Sequence, residues 1–311
     1  MITAPVSPSW SLSELHLLLT GECKYECDHC FVWSSPSQGN TMTRETVEHI
    51  LDQAEELGTI EWIYFEGGEP FLYYQLLLWG TQQAHQRGFR VGIVSNAYWA
   101  EDEVTAIDKL RPFSGLVDDL SISDDAYHGL KEGPRETTIA RQAAKSLDIP
   151  VDFISASGPE LSGSNDRSPL FDADDGSVRY RGRAAEKLAP LVQPKPWKEF
   201  RECPWEDLRQ PQRVHVDSFG NLHICQGISI GNVIERPLKE IMCDYDPDKH
   251  PIIGPLLTGG PVELVKKYGL AHEDGYADAC HLCYLSRSKL IDKFPGLLVP
   301  GEMYGVIDQV D

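Results

Sequence analysis

The sequence has no apolar run approaching the ~20 residues that a membrane-spanning helix requires, so no bilayer span is expected. It is also short of positive charge: 28 Lys and Arg stand against 48 Asp and Glu, for a formal net charge of −20. Phosphate binding needs a basic surface, so this balance argues against a nucleic-acid partner. A basic peptide or a cationic small molecule would be tolerated, but charge identifies neither. Residues 1–10 lack a basic segment followed by an apolar stretch, so no secretory signal is expected and the location reads as cytoplasmic. In that reducing setting the eight cysteines read as metal or cluster ligands rather than as a disulfide framework. No internal repeat is visible.

Between about residues 12 and 192 strand-like and helix-like segments alternate. Leu15 to Thr20 reads as a buried strand. Thr43 then caps a helix whose apolar residues Val47, Ile50, Leu51, Ala54 and Leu57 follow the helical repeat up to Gly58. Strands are expected at Ile60–Phe65, Arg90–Ser95, Leu116–Ser123, Val151–Ala156 and Val178–Arg181, with a helix at Tyr74–Arg87. Such repetition predicts an α/β fold with a parallel sheet and right-handed crossovers, of about six units. Gly158–Gly176 reads as a long loop without an assigned role. Beyond Lys195 the pattern changes: Arg213–Asp217 and Leu222–Cys225 flank Ser-Phe-Gly-Asn, a hairpin signal.

The strongest chemical feature is Cys23-Lys-Tyr-Glu-Cys27-Asp-His-Cys30, directly after the first strand. Active sites of α/β folds lie at such strand ends. Three thiolates can hold three irons of a [4Fe–4S] cube, leaving the fourth open to a small molecule that offers an amine and a carboxylate. The alternative is a zinc site completed by His29 or a distant cysteine, although zinc sites usually pair two close ligands with two distant ones. At the next strand end stands Glu66-Gly67-Gly68-Glu69-Pro70, whose glycines allow close backbone approach and whose proline stiffens the exit. Ser95-Asn96 and Ser121-Ile-Ser123-Asp124 end the two strands after that. Short polar groups at consecutive strand ends suit a ribose and an amino-acid carboxylate, while each alone also suits a helix cap.

With these residues the chain resembles the radical SAM superfamily, whose hallmark is CxxxCxΦC after the first strand; His29 occupies the Φ position and Phe31 follows the last cysteine. Gly67-Gly68-Glu69-Pro70 matches the motif that holds the methionine amino group of S-adenosylmethionine (SAM). Ser95, Asn96, Ser121, Ser123 and Asp124 match places where relatives contact ribose and carboxylate. The resemblance covers residues 12–192 and implies a partial (β/α)6 TIM-type barrel. It also implies a [4Fe–4S] cluster on Cys23, Cys27 and Cys30, reductive cleavage of SAM to a 5′-deoxyadenosyl radical, and an electron donor such as flavodoxin or ferredoxin. Arg181 and Arg183, in a Gly-Arg-Ala segment similar to those of relatives, are candidates to reach a carboxylate, or are simply exposed arginines at a helix start.

Cys203, Cys225, Cys280 and Cys283 can close around a second [4Fe–4S] cluster or a zinc ion, in an arrangement that resembles the SPASM/twitch extensions with their auxiliary clusters. Gly231-Asn-Val leading to Ile241 fits that resemblance. The expected division is a barrel over residues 1–195 and a smaller cysteine-rich α+β extension over 196–311. Cys243 is left over and reads as a small core residue. The resemblance implies a ribosomal peptide or protein as substrate, with a small molecule of a cofactor or secondary-metabolite pathway as the alternative, and a non-catalytic iron–sulfur or zinc protein as the third. Peptide epimerases are the nearest pattern, but they need a hydrogen-donating cysteine, a role that falls here to Cys243. Cys23 stands close to residue 1, which speaks against an N-terminal peptide-recognition domain.

Overall fold

A computed structural model describes residues 12–125, 127, 136–156 and 178–306. The loop expected at 158–176 lies outside them. Strand β1 (Glu14–Thr20) alternates as a strand between two unlike layers must: Leu15, Leu17 and Leu19 join the principal apolar core, while Leu18, from the other face, joins a second one. Helix α1 (Arg44–Leu57) begins at Thr43, whose hydroxyl accepts from the Thr46 N–H, and ends at Gly58 in the left-handed conformation. Its Val47, Ile50, Leu51 and Ala54 lie against the leucines of β1. Each fully buried side chain of this kind stabilises the fold by about 1.5–3 kcal/mol.

Four further strands follow in order: β2 (Trp62–Gly67), β3 (Arg90–Ser95), β4 (Asp119–Ser123) and β5 (Val151–Ile154). Helices α2 (Tyr74–Gln86), α3 (Glu103–Leu110) and α4 (Glu136–Ser146) connect them, and every neighbouring pair is parallel. β2 starts two residues later than expected and β4 three, because Leu116 and Val117 donate their N–H groups to Phe113 O in a turn that precedes the latter.

The sixth expected strand is absent. Residues 178–181 stay outside the sheet, and the segment around them bonds elsewhere: Arg181 N–H donates to Arg179 O, and Arg183 N–H to Cys30 O. The sixth parallel strand is instead β7 (Arg213–Val216), which pairs with β1 on the opposite edge after the short α5 (Arg183–Lys187) and β6 (Lys195–Pro196). β8 (Asn221–Cys225) and β9 (Ile228–Asn232) continue antiparallel, so the order is β5-β4-β3-β2-β1-β7-β8-β9. The result is an open, mostly parallel sheet of the partial TIM-barrel type. The expected hairpin is present, and it extends the barrel sheet instead of standing apart from it.

α6 (Leu238–Asp244) returns to the principal core, with Leu238, Ile241 and Met242 buried there. Cys243 on that helix is exposed, which corrects its reading as a core residue: the buried face of α6 is taken by its neighbours in sequence. α7 (Ile253–Tyr268), kinked at Gly259-Gly260, and α8 (Ala279–Ser288), preceded by β10 (Gly275–Tyr276), enclose the second core with Leu18, Ile224 and Ile228. Among the described residues no helix is long and apolar enough to cross a membrane.

Candidate active site

The chain leaves β1 at Thr20 and turns at once into the cysteine loop. Cys23 and Cys27 are buried and Cys30 is partly exposed; Cys30 N–H donates to Cys27 O at 3.0 Å. Burial pushes the Cys23 thiol up to about 12 and drives that of Cys27 higher, with the neighbouring cysteines adding to the latter. A thiolate in this loop therefore needs a partner that brings positive charge, as iron does. Among the described residues the only three metal-capable donor atoms within 4.8 Å of one another belong to His16, Glu66 and His215. No three cysteine sulfurs are that close, whereas tetrahedral zinc with ~2.3 Å bonds would draw them to about 3.8 Å.

Gly67 and Gly68 press against the end of β1 and the start of this loop. They lie so close to β1 and its exit that a side chain on Gly68 would meet Glu22 O at 2.0 Å, and one on Gly67 would meet Thr20 O at 2.5 Å. Gly68 N–H donates to Thr20 O and Glu69 N–H to Glu22 O. The glycines thus set the distance between the β2 exit and the cysteines. Gly68→Ala should displace residues 20–22 and with them Cys23; the expected result is reconstituted protein short of cluster iron, read by iron analysis against wild type at equal helical content.

Glu69 is fully buried. Its Oε1 accepts from Phe71 N–H (3.0 Å) and Ser95 Oγ (2.9 Å), and its Oε2 accepts from Asn96 N–H (2.8 Å). Ser95 Oγ in turn accepts from Ala97 N–H and from Trp99 Nε1, so its one proton and both lone pairs are used inside the protein. Ser95 thus ties Glu69 to the turn that follows β3. Asn96 Nδ2 lies 3.5 Å from Cys23 Sγ, which ties the β3 exit to the cysteine loop. Pro70 is buried at the start of a short 3-10 turn.

At the β4 exit Ser121 donates to Asp119 Oδ2, Ser123 is half-buried, and Asp124 accepts from Thr137 Oγ1. The residue that faces the cysteine loop is the next one, Asp125, whose Oδ2 lies 3.7 Å from His29 Nε2. His29 also lies against the ring of Tyr127 at 4.8 Å. Asp125 was not among the residues expected from the sequence, because nothing in an Asp-Asp pair marks the second one out.

Arg181 and Arg183 are both buried, contrary to the reading as exposed arginines, and they serve different sites. Arg183 donates to Cys27 O and Ser34 O, each at 2.8 Å, and lies over the Trp33 ring. It braces the cysteine loop from behind. Gly182 between them has φ +60, and a side chain there would meet the Cys30–Phe31 backbone at 2.5–2.6 Å. Arg181 pairs with the carboxylate of Glu206 (3.3 Å), and the same nitrogen is 3.0 Å from Cys225 Sγ.

Cys203, Cys225, Cys280 and Cys283 line one pocket together with Arg181, Glu206 and Arg287. Cys280 and Cys283 are one turn apart on α8, which Asp278 caps, and Cys225 ends β8. Burial pushes the Cys283 thiol up to about 11 and raises those of Cys203 and Cys280. Two buried guanidiniums face these sulfurs; Arg287, 1% exposed, is anchored by Gln226 O and Tyr304 Oη. They would offset the excess negative charge that four thiolates give a cubane. Arg287 was missed, though its place one helical turn beyond Cys283 was the available signal.

Residues 17–138 match the radical SAM superfamily. A protein of Bacillus subtilis (strain 168) named for peptide biosynthesis, YydG, is 30% identical over 111 residues, 35% of each chain. An S-adenosylmethionine-dependent nucleotide dehydratase of Selenomonas ruminantium is 30% identical over 83 residues, 27% of this chain and 29% of the relative. The chain thus spans about a third of the length of the curated relatives it matches. Among solved structures, that of BtrN in complex with AdoMet and 2-DOIA aligns over 76% of this chain and 83% of its own, with 16% identity and a TM-score of 0.52, which shows a shared fold.

Proposed function

We propose, from the match of residues 17–138 to the radical SAM superfamily, that the chain cleaves SAM reductively and removes a hydrogen atom from a ribosomal peptide or protein. A [4Fe–4S] cluster on Cys23, Cys27 and Cys30 would supply the electron that splits the sulfonium bond to a 5′-deoxyadenosyl radical. The observation that carries the reading is the convergence of three strand exits on that loop. Gly67-Gly68 sets its spacing, Asn96 reaches Cys23, and His29 meets Asp125.

The chain's own part is to hold and to shield. Arg183 and Gly182 fix the loop from behind, while Glu69 and Ser95 lock the β2 and β3 exits together. In this reading main-chain groups of residues 67–70 take the amino group of SAM, and Asn96, Ser121, Ser123 and Asp124 lie along the rim beside the ribose and carboxylate. Held at such a rim, a substrate C–H gains the rate advantage of proximity, and exclusion of water prevents quenching. Cys203, Cys225, Cys280 and Cys283 would hold a second [4Fe–4S] cluster within an extension over residues 196–311, supported by the two buried arginines beside them. Reduced flavodoxin or ferredoxin is the proposed electron donor. Cys243 is exposed on a helix that packs into the principal core, and epimerisation, which would need it as hydrogen donor, is not part of the proposal.

The peptide reading draws on the relative named for peptide biosynthesis, and the small-molecule alternative on the nucleotide dehydratase. The test is anaerobic reconstitution with iron and sulfide, then dithionite, SAM and either a panel of ribosomal precursor peptides or a panel of nucleotides. 5′-Deoxyadenosine above background with peptide, together with a mass change in the peptide, is the expected result. Stimulation by nucleotides alone would transfer the assignment to the small-molecule class. No deoxyadenosine from cluster-loaded, reduced protein under any condition would overturn the activity.

A further inference from the structure

The unexpected feature lies deeper than the strand exits. β1 pairs with β7 so that His16 stands opposite His215, and with β2 so that Leu18 stands opposite Glu66. All three polar side chains fall on the face opposite Leu15 and Leu17, and they meet there. Glu66 Oε1 is 3.1 Å from His16 Nδ1 and 3.2 Å from His215 Nε2, and the three donor atoms lie within 4.8 Å of one another.

We infer that His16, Glu66 and His215 bind one divalent first-row transition-metal ion inside the sheet, separate from the two cysteine sites. Bonds of ~2.0–2.1 Å to nitrogen and oxygen put adjacent ligand atoms about 3.0–3.4 Å apart, the spacing already present between the carboxylate and each imidazole. Two imidazoles and a carboxylate suit zinc or iron(II). The groups around His16 orient it as a metal ligand, while His215 Nε2 also lies 3.3 Å from Gln226 Nε2, a contact that a bound ion would replace. Glu14 Oε2 takes the other ring nitrogen of His16 at 3.3 Å, the carboxylate–histidine–metal arrangement, and Tyr64 stacks on that ring at 4.6 Å.

The site is not sealed. The side chains of His16, Glu66 and His215 keep 11%, 14% and 12% of their surface, so a fourth ligand can approach. Three protein ligands with an open position are the pattern of sites where a metal also holds substrate. A carboxylate or carbonyl oxygen is the donor that such a position takes. Glu66 precedes Gly67-Gly68 directly, so a group held on the ion lies next to the exit that borders the cysteine loop. The inference stands independently of SAM cleavage, because its test reads metal binding.

The experiment uses the full chain with its cysteine sites loaded with iron and sulfide, equilibrated with zinc and desalted. Expected are one tightly held zinc per chain by elemental analysis and a zinc-edge X-ray absorption spectrum with nitrogen and oxygen neighbours only, at ~2.0–2.1 Å. His215→Ala and Glu66→Gln should each lose the zinc while keeping the iron count. Sulfur neighbours at ~2.3 Å, no retained zinc in wild type, or zinc retained in both variants would each overturn the site. The wild-type spectrum decides the matter even if a variant fails to fold.

Discussion

Alanine at Cys23, Cys27 and Cys30 together should abolish 5′-deoxyadenosine formation while leaving a folded chain with about half its iron, near four atoms instead of near eight. Selectivity is expected because the two cysteine sets hang from different elements. The first lies in the loop after β1, and the second is distributed over the segment before β7, the end of β8 and α8. The loop's own bonds do not need sulfur: Cys23 N–H donates to Ser35 O, Cys30 N–H to Cys27 O, and Arg183 to Cys27 O and Ser34 O. Iron analysis, circular dichroism and a deoxyadenosine assay check the three parts. Equal loss of iron from both sets, or turnover that survives the substitution, would contradict the assignment of the first cluster.

Glu69→Gln is expected to have the largest effect of any isosteric change. The carboxylate accepts from Phe71 N–H, Ser95 Oγ and Asn96 N–H in the interior, the first two on one oxygen. A glutamine oxygen can keep those two. Its NH2 group then faces Asn96 N–H, which loses its acceptor and sets donor against donor. Hydrogen bonds to a charged group and a buried unsatisfied N–H together make this worth roughly 2–4 kcal/mol, or a Tm lower by about 3–6 °C. One effect runs the other way. The charge of Glu69 raises the Cys23 thiol, so its removal would ease ionisation there. Burial is the larger cause of that shift, and iron overrides it once bound. Loss of the β3 exit's position, and of Asn96 beside Cys23, should therefore win. Thermal unfolding and the SAM-cluster iron of the variant measure it. A Tm within a degree of wild type, with full iron, would show that Glu69 is not the lock.

The sequence by itself determined much of this. Alternation in β1 and the helical repeat with its caps in α1 are local, since side-chain period and capping are settled within a few residues. The cysteine loop and the glycine pair were legible for the same reason, being contiguous motifs attached to strand ends. Val178–Arg181 was misread because its pattern is that of a strand, and only the tertiary structure shows its neighbours bonded to the cysteine loop while β7 takes the place beside β1. Which partner each polar group takes was equally out of reach. Ser95 spends its hydroxyl on Glu69, Arg181 turns to Cys225, and Arg183 turns to Cys27 O. His16, Glu66 and His215 are separated in sequence by 50 and 149 residues, and each alone is an ordinary strand residue. Parallel pairing of β1 with β2 and β7 brings them within one ligand sphere, because register is a property of the sheet and no single strand encodes it.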